Sequence, residues 1–77
     1  MGIEQYDKII NNTKITLDKS ILEKITEFKY KELDGYYVIE VYVKSNIKAK
    51  EMGEILTNIE ECAKECGFNI LVDFLRG

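Results

Sequence analysis

The Asp-Gly pair at residues 34 and 35 constrains the fold of this chain more than any other feature of its sequence. It separates two runs of alternating side chains, and Asp-Gly suits the two-residue turn whose central residues both have positive φ. The sequence therefore predicts a β-hairpin in which Leu33 pairs with Tyr36. That pairing fixes which side chains share a face of the sheet.

The alternation divides the predicted hairpin into two faces. We expect the first face to form the core, because it holds Phe28, Tyr30, Tyr37, Ile39, Val41 and Val43. The opposite face holds Lys29, Lys31, Leu33, Tyr36, Val38, Glu40 and Tyr42. In this register Lys29 lies across from Glu40, and opposite charges at such positions stabilise a strand pair.

A helix and a further strand are predicted after the hairpin. Between residues 47 and 66, apolar and small side chains recur at helical spacing, at Met52, Ile55, Leu56, Ile59, Cys62, Ala63 and Cys66. Ser45 or Asn46 can cap the start of this helix, and Gly67 suits its end. Residues 68–75 then alternate as in a strand, so we expect a right-handed helical crossover from the hairpin to a C-terminal strand.

The first 27 residues allow two folds. Residues 3–10 and 18–25 have helical spacing, and the Asn-Asn pair after the first of these segments indicates a turn. If residues 14–17 form a strand, the element order is βαββαβ, a ferredoxin-like sandwich. Otherwise helices pack on a three-stranded sheet. In both cases the prediction is a single α+β domain over residues 1–77, arranged as a small two-layer sandwich.

Residues 28–77, with their hairpin, helix and strand, resemble the opening segments of STAS regulatory domains and of ubiquitin-like β-grasp proteins. The chain lacks the Asp-Ser-Ser-Gly loop that carries the phosphorylated residue of a STAS domain. Its last residues, "LRG", lack the Gly-Gly tail of a ubiquitin-like protein. The sequence therefore predicts membership of no family.

The sequence lacks most of the residue types and motifs on which enzymes commonly depend. There is no histidine, which removes the commonest general base and most metal sites. No glycine-rich phosphate loop is present. Cys62 and Cys66 lie one helical turn apart, which indicates core packing and not a disulfide or a complete zinc site. The sequence predicts no enzymatic activity and no metal or cofactor.

Charge and hydropathy argue against two classes of partner. The formal net charge is −3, so electrostatic attraction does not favour binding to nucleic acid. Arg76 is the only arginine among 11 basic residues, and arginine is the residue that makes bidentate hydrogen bonds to phosphates and guanines. No apolar run approaches the roughly 18 residues that a membrane span needs. The start of the chain has no basic segment followed by an apolar one. We expect a cytoplasmic protein that does not bind membranes.

The second face of the predicted sheet is too apolar to be left in contact with water, so either the N-terminal segment or another protein covers it. Its predicted partner-binding residues are Leu33, Tyr36, Val38, Tyr42, Leu71 and Leu75. We expect these to be surrounded by a polar rim of Lys29, Lys31, Glu40 and Asp73. The predicted function is a small non-enzymatic protein–protein interaction module, acting as a regulator, adaptor or inhibitor, that self-associates or binds another protein.

Two alternative sites are open at the level of the sequence. An anion-binding or small-molecule-binding domain would use the start of the helix predicted over residues 47–66, surrounded by Lys44, Lys48 and Lys50. Self-association through a helix edge would use the line of small residues formed by Ala49, Gly53 and Thr57.

Overall fold

The computed structural model describes residues 2–77, which form a three-stranded mixed sheet and three helices. The elements, in chain order, are α1 (Ile3–Thr16), α2 (Lys19–Leu22), β1 (Ile25–Leu33), β2 (Tyr36–Val43), α3 (Ala49–Glu65) and β3 (Ile70–Arg76). Strand β2 is central, antiparallel to β1 and parallel to β3. The α+β class and the crossover from the hairpin to a C-terminal strand are therefore confirmed.

The hairpin has the predicted turn and the predicted register. Asp34 and Gly35 have φ angles of 51° and 82°, as the two-residue turn requires. Leu33 pairs with Tyr36, and the pairing continues without a shift as far as Glu27. A bulge between Ile25 and Glu27 then lets β1 begin three residues before the predicted start, because Ile25 still pairs with Val43.

The turn predicted at residues 11 and 12 is wrong, and of the two folds open for the first 27 residues the structure has the one without a strand at residues 14–17. Helix α1 continues through both segments to Thr16. The cause is a buried stripe at helical spacing along α1 and the residue after it, consisting of Ile9, Ile10, Thr13 and Leu17. Burial of that stripe outweighs the modest helix propensity of asparagine, which is within about 0.7 kcal/mol of alanine. The ferredoxin-like βαββαβ order is therefore absent.

The second predicted helix, over residues 18–25, is also mostly wrong. Only Lys19–Leu22 are helical, and strand β1 begins at Ile25. Ile25 packs against the core from the strand, opposite Val43. Ile25, which its helical spacing had placed in the predicted helix, is therefore part of strand β1.

Helix α3 ends as predicted and begins later than predicted. Its N-cap is Lys48, so neither Ser45 nor Asn46 caps it. At its end, Gly67 has a φ of 81° and donates a hydrogen bond to the Lys64 carbonyl, 3.0 Å away. The Phe68 amide donates to the Ala63 carbonyl at 2.9 Å, which completes a Schellman motif.

Both long helices pack on the same face of the sheet. The core joins Ile9 and Ile10 of α1 and Ile55 and Ile59 of α3 to three valine or isoleucine residues of β2, Ile39, Val41 and Val43. The predicted core face is thus the face that the helices cover. Among residues 2–77, no helix packs on the opposite face, which we call the uncovered face.

Candidate functional site

The uncovered face is built from alternate residues of all three strands. The strand register places Lys31, Val38 and Leu71 side by side in one row. The next row consists of Lys29, Glu40 and Asp73. The complete face consists of Glu27, Lys29, Lys31, Leu33, Tyr36, Val38, Glu40, Tyr42, Leu71, Asp73 and Leu75.

The end of the uncovered face nearest the hairpin turn is apolar and open. Leu33, Tyr36 and Leu71 are 54%, 59% and 51% exposed, whereas Val38 among them is only 2% exposed. Val38 is not part of the core cluster, so side chains of its own face bury it. Three large apolar side chains are therefore exposed next to one buried valine, and such groups of exposed apolar side chains are the material of interaction surfaces.

The other end of the uncovered face is partly closed by contacts within the chain. The Lys29 ammonium lies 5.0 Å from the centroid of the Tyr42 ring. Gly77 lies so close to that ring that an added Cβ would be 2.9 Å from it. Tyr42 is consequently half-buried, and Leu75, its partner on β3, is half-buried as well. The six predicted partner-binding residues share one face, but Leu33, Tyr36 and Leu71 are the ones open to contact.

Charged side chains separate these two ends. The Lys31 ammonium lies 3.2 Å from the Glu40 carboxylate, and the Lys29 ammonium lies 3.4 Å from that of Glu27. The hydrogen bond to Glu27 raises the pKa of Lys29. Asp73, also expected in the polar rim, is exposed on β3. These charges cross the middle of the face and do not form a closed rim around it.

The tyrosines of the hairpin divide between the two faces. On the helix side, the ring of Tyr30 lies 5.5 Å from that of Tyr6 and 6.4 Å from that of Tyr37, and Tyr37 meets Phe68 edge-on at 5.9 Å. The Tyr30 hydroxyl donates a hydrogen bond to Glu32 at 2.7 Å. Burial, followed by that bond, raises the pKa of Tyr30 to about 12. These rings join elements together, whereas Tyr36 stands free for contact on the other face.

The predicted anion site at the start of α3 already has a carboxylate of this chain. The Lys48 amide donates a hydrogen bond to Glu51 Oε1 at 2.8 Å. Lys24 Nζ lies 2.8 Å and 2.9 Å from the two Glu51 oxygens, and this bond, followed by that of the Lys48 amide, lowers the pKa of Glu51. Lys44 and Lys50 are exposed nearby. Anion binding there stays a prediction in which a ligand would compete with Glu51.

The line of small residues on α3 borders a shallow groove of about 460 Å³ beside the end of α1. Gly53 and Thr57 line this groove, and an added Cβ on Gly53 would meet nothing within 4 Å. No backbone within residues 2–77 therefore requires glycine at this position. Binding of a second helix there stays a prediction.

The thiols occupy the core side of α3. Cys62 is 8% exposed, with the Thr13 hydroxyl 3.9 Å from its Sγ, and Cys66 is half-buried; both are free. In the part of the chain that the structure describes, no three His, Cys, Asp or Glu side chains are grouped so that they could hold a metal ion.

A groove between α1 and β1 was not predicted from the sequence, because its existence depends on where α1 packs. It encloses about 550 Å³ and is lined by Tyr6, Asp7, Lys14, Glu27 and Phe28, among others. Burial raises the pKa of the Tyr6 hydroxyl, and the Lys14 ammonium lies 5.8 Å from the Phe28 ring centroid.

Compared with known proteins, the chain matches no protein-family model, no curated protein and no solved structure. Within residues 2–77, no helix has the length and the apolar character to cross a membrane.

Proposed function

We propose that this protein is a small non-enzymatic interaction module that binds a protein partner through the uncovered face of its sheet. The observation that supports this proposal best is the placement of both long helices on the other face, which leaves Leu33, Tyr36 and Leu71 more than half exposed. The module would act as a regulator, adaptor or inhibitor, and it would also associate with itself.

The chemistry of the uncovered face fits a protein partner better than a small molecule. Interface centres are enriched in tyrosine and large aliphatic side chains, and a central aromatic residue often supplies much of the binding energy. On this face, Tyr36 has Leu33 beside it, and Leu71 lies in the next row, beside Val38. A cytoplasmic location belongs to the same proposal, and the two free thiols support it because such thiols persist under reducing conditions.

The experiment places a photo-crosslinking amino acid at position 36 or at position 15 and exposes each protein to an extract of its native host. Ile15 is the matched control, because it is 80% exposed but lies on α1. We expect a protein to crosslink at position 36 and not at position 15. The crosslinked protein, once purified, should bind the Tyr36→Lys variant at least about tenfold more weakly and the Ile15→Lys variant unchanged.

Two results would overturn the proposal. One is the absence of any crosslinked protein at position 36. The other is a purified partner whose affinity is the same for the Tyr36→Lys variant as for the unchanged protein. Because Tyr36 is 59% exposed, its replacement removes little buried area, and a change in binding will not come from loss of the fold.

A further inference from the structure

The two edges of the sheet are protected from strand pairing to different degrees. Edge strand β1 has a bulge next to Glu27 and carries Lys29 and Lys31, devices that keep an edge from pairing with another strand. Edge strand β3 pairs with β2 over seven consecutive residues without a shift. It has no proline, and five of its seven side chains are apolar.

The hydrogen bonds of β3 show which of its backbone groups are free. The Gly77 amide donates to the Val43 carbonyl of β2, so the odd-numbered residues of β3 point their N–H and C=O groups inward to β2. The alternate residues therefore direct these groups away from the sheet. The free row consists of Ile70, Val72, Phe74 and Arg76.

The flank of α3 above this edge is apolar as well. Asn58 bonds to Thr16 of α1, and Leu56 lies about 160° around the helix from Asn58, so Leu56 is on the side away from α1. Leu56 and Met52 are half-buried, and neither packs against the core cluster. Further along the same flank, Ala63 shares a shallow groove with Ile70 of β3.

We propose that a second copy of this chain pairs its β3 with β3 of the first, antiparallel, to form a continuous six-stranded sheet. The free backbone row would gain hydrogen bonds, and the Leu56 flanks of the two copies would approach each other over the new centre of the sheet. Strand β3 is its own best partner, because the other edge has charges and a bulge that oppose pairing.

Asp73 restricts the register of this pairing. When two copies of β3 pair antiparallel around a two-fold axis, the uncovered faces of the two copies can lie on the same side of the joint sheet. The axis then passes between two copies of the same residue, which lie directly opposite each other. An axis at Asp73 would place two carboxylates directly opposite each other, which destabilises a strand pair. Of the other positions, Val72 and Phe74 lie nearest the middle of β3 and keep most of the strand paired, so we place the axis at one of these two. In either case the amides of Val72 and Phe74 would form hydrogen bonds to the second copy.

Pairing through β3 would also complete the partner-binding face, a consequence that rests on the proposed function. Three strands of about seven residues give a face of about 14 Å by 23 Å, or roughly 330 Å² of flat area. A stable interface buries about 800 Å² per partner, so one copy offers a small surface. Six strands double the flat area to roughly 660 Å², with Leu71 of each copy near the centre.

The test is amide hydrogen exchange measured by NMR at protein concentrations from about 10 µM to about 1 mM. We expect the amides of Val72 and Phe74 to exchange at least about tenfold more slowly as the dimer forms. The amide of Leu75, which points toward β2, is the internal control and stays protected throughout. Sedimentation on the same samples gives the dimer fraction.

Two outcomes would overturn β3 pairing. Either the protein remains monomeric at about 1 mM, or it dimerises while the Val72 and Phe74 amides exchange as fast as they do in the monomer. The Tyr36→Lys variant separates this proposal from the proposed function, because it should dimerise normally even where it no longer binds the partner protein. A Val72→Pro variant should lose pairing, and if it fails to fold, the exchange data on the unchanged protein decide.

Discussion

At the scale of single residues, the Glu51 carboxylate joins three parts of the chain. It accepts hydrogen bonds from the amide at the start of α3 and from Lys24, which lies in the connection between α2 and β1. Lys24 also accepts a backbone bond from Lys44 at the end of β2, 2.8 Å long. One side chain thus positions the start of α3 against the point where the sheet begins.

Replacement of Glu51 by glutamine should lower stability in a way that depends on pH. The pKa of Glu51 is lowered in the folded protein, so its contribution is fully present above the pKa of an unfolded glutamate, about 4.3. It is lost as the pH falls through the lower pKa of the folded state. Urea unfolding should therefore show a gap between the unchanged protein and Glu51→Gln at pH 7 that closes in acid.

The control for this experiment is Glu54→Gln, an exposed position on the same helix. Its stability should follow that of the unchanged protein at every pH. A Glu51→Gln deficit that stays constant across the acid range would contradict the assigned role of the Glu51 charge.

Two glycines should respond oppositely to the same substitution. An added Cβ meets nothing within 4 Å at Gly35 or at Gly53, so space does not distinguish them. Gly35 has a φ of 82°, and Gly35→Ala should cost about 1 kcal/mol in strain. Gly53 lies inside α3, and Gly53→Ala should gain about 0.5 to 1 kcal/mol.

Thermal and urea unfolding of the two alanine variants measure this difference. Equal effects at the two sites would show that backbone conformation is not what separates them. A loss of stability at Gly53 would indicate a backbone that closely approaches α3 there.

At the scale of elements, α1 is the part of the fold that depends most on the rest of the molecule. It buries Ile9 and Ile10 in the core and packs beside α3, with Thr16 and Asn58 bonded between the two helices at 2.6 Å. Its centre contains the Asn-Asn pair, which local preference assigns to a turn. Tertiary burial therefore decides its length.

Substitution at exposed Asn11 tests whether this segment is helical in solution. Within a helix, Asn11→Ala should be more stable than Asn11→Gly by about 1 kcal/mol, because glycine loses more backbone freedom there. A turn would give the opposite order, since glycine suits it. Urea unfolding of the two variants is the measurement, and a glycine variant at least as stable as the alanine variant would contradict the helix.

The elements that could be predicted from the sequence are those whose signals are local. The turn at Asp34 and Gly35 set the register of the hairpin, and the spacing from Met52 onward identified α3. The N-terminal segment could not be predicted in the same way. Its apolar residues fit a helix or a strand over short stretches, and only the position of α3 determines which one buries them.

At the scale of the whole molecule, the sequence predicted which residues share the uncovered face. It did not predict which of them are exposed to solvent. Alternation alone places Leu33, Tyr36 and Leu71 on one side of the sheet. That no helix within residues 2–77 covers them follows from where α1 packs. The closure of Tyr42 by Lys29 and Gly77 depends on contacts between separate strands, which a pattern in one strand does not contain.

The length of α3 has a consequence for how quickly this sheet can assemble. The hairpin closes through two residues, but the residues between Val43 and Ile70 must also close before β3 can join β2. A flexible loop of about 26 residues costs about 2 kcal/mol more entropy to close than one of two residues. The 17 residues of α3 span about 25 Å as a helix, close to the length of an eight-residue strand of about 26 Å. Once formed, the helix spans the length of β2 and brings the chain back to the end of the sheet where β3 starts. Fewer chain conformations then remain to be sampled before β3 pairs with β2.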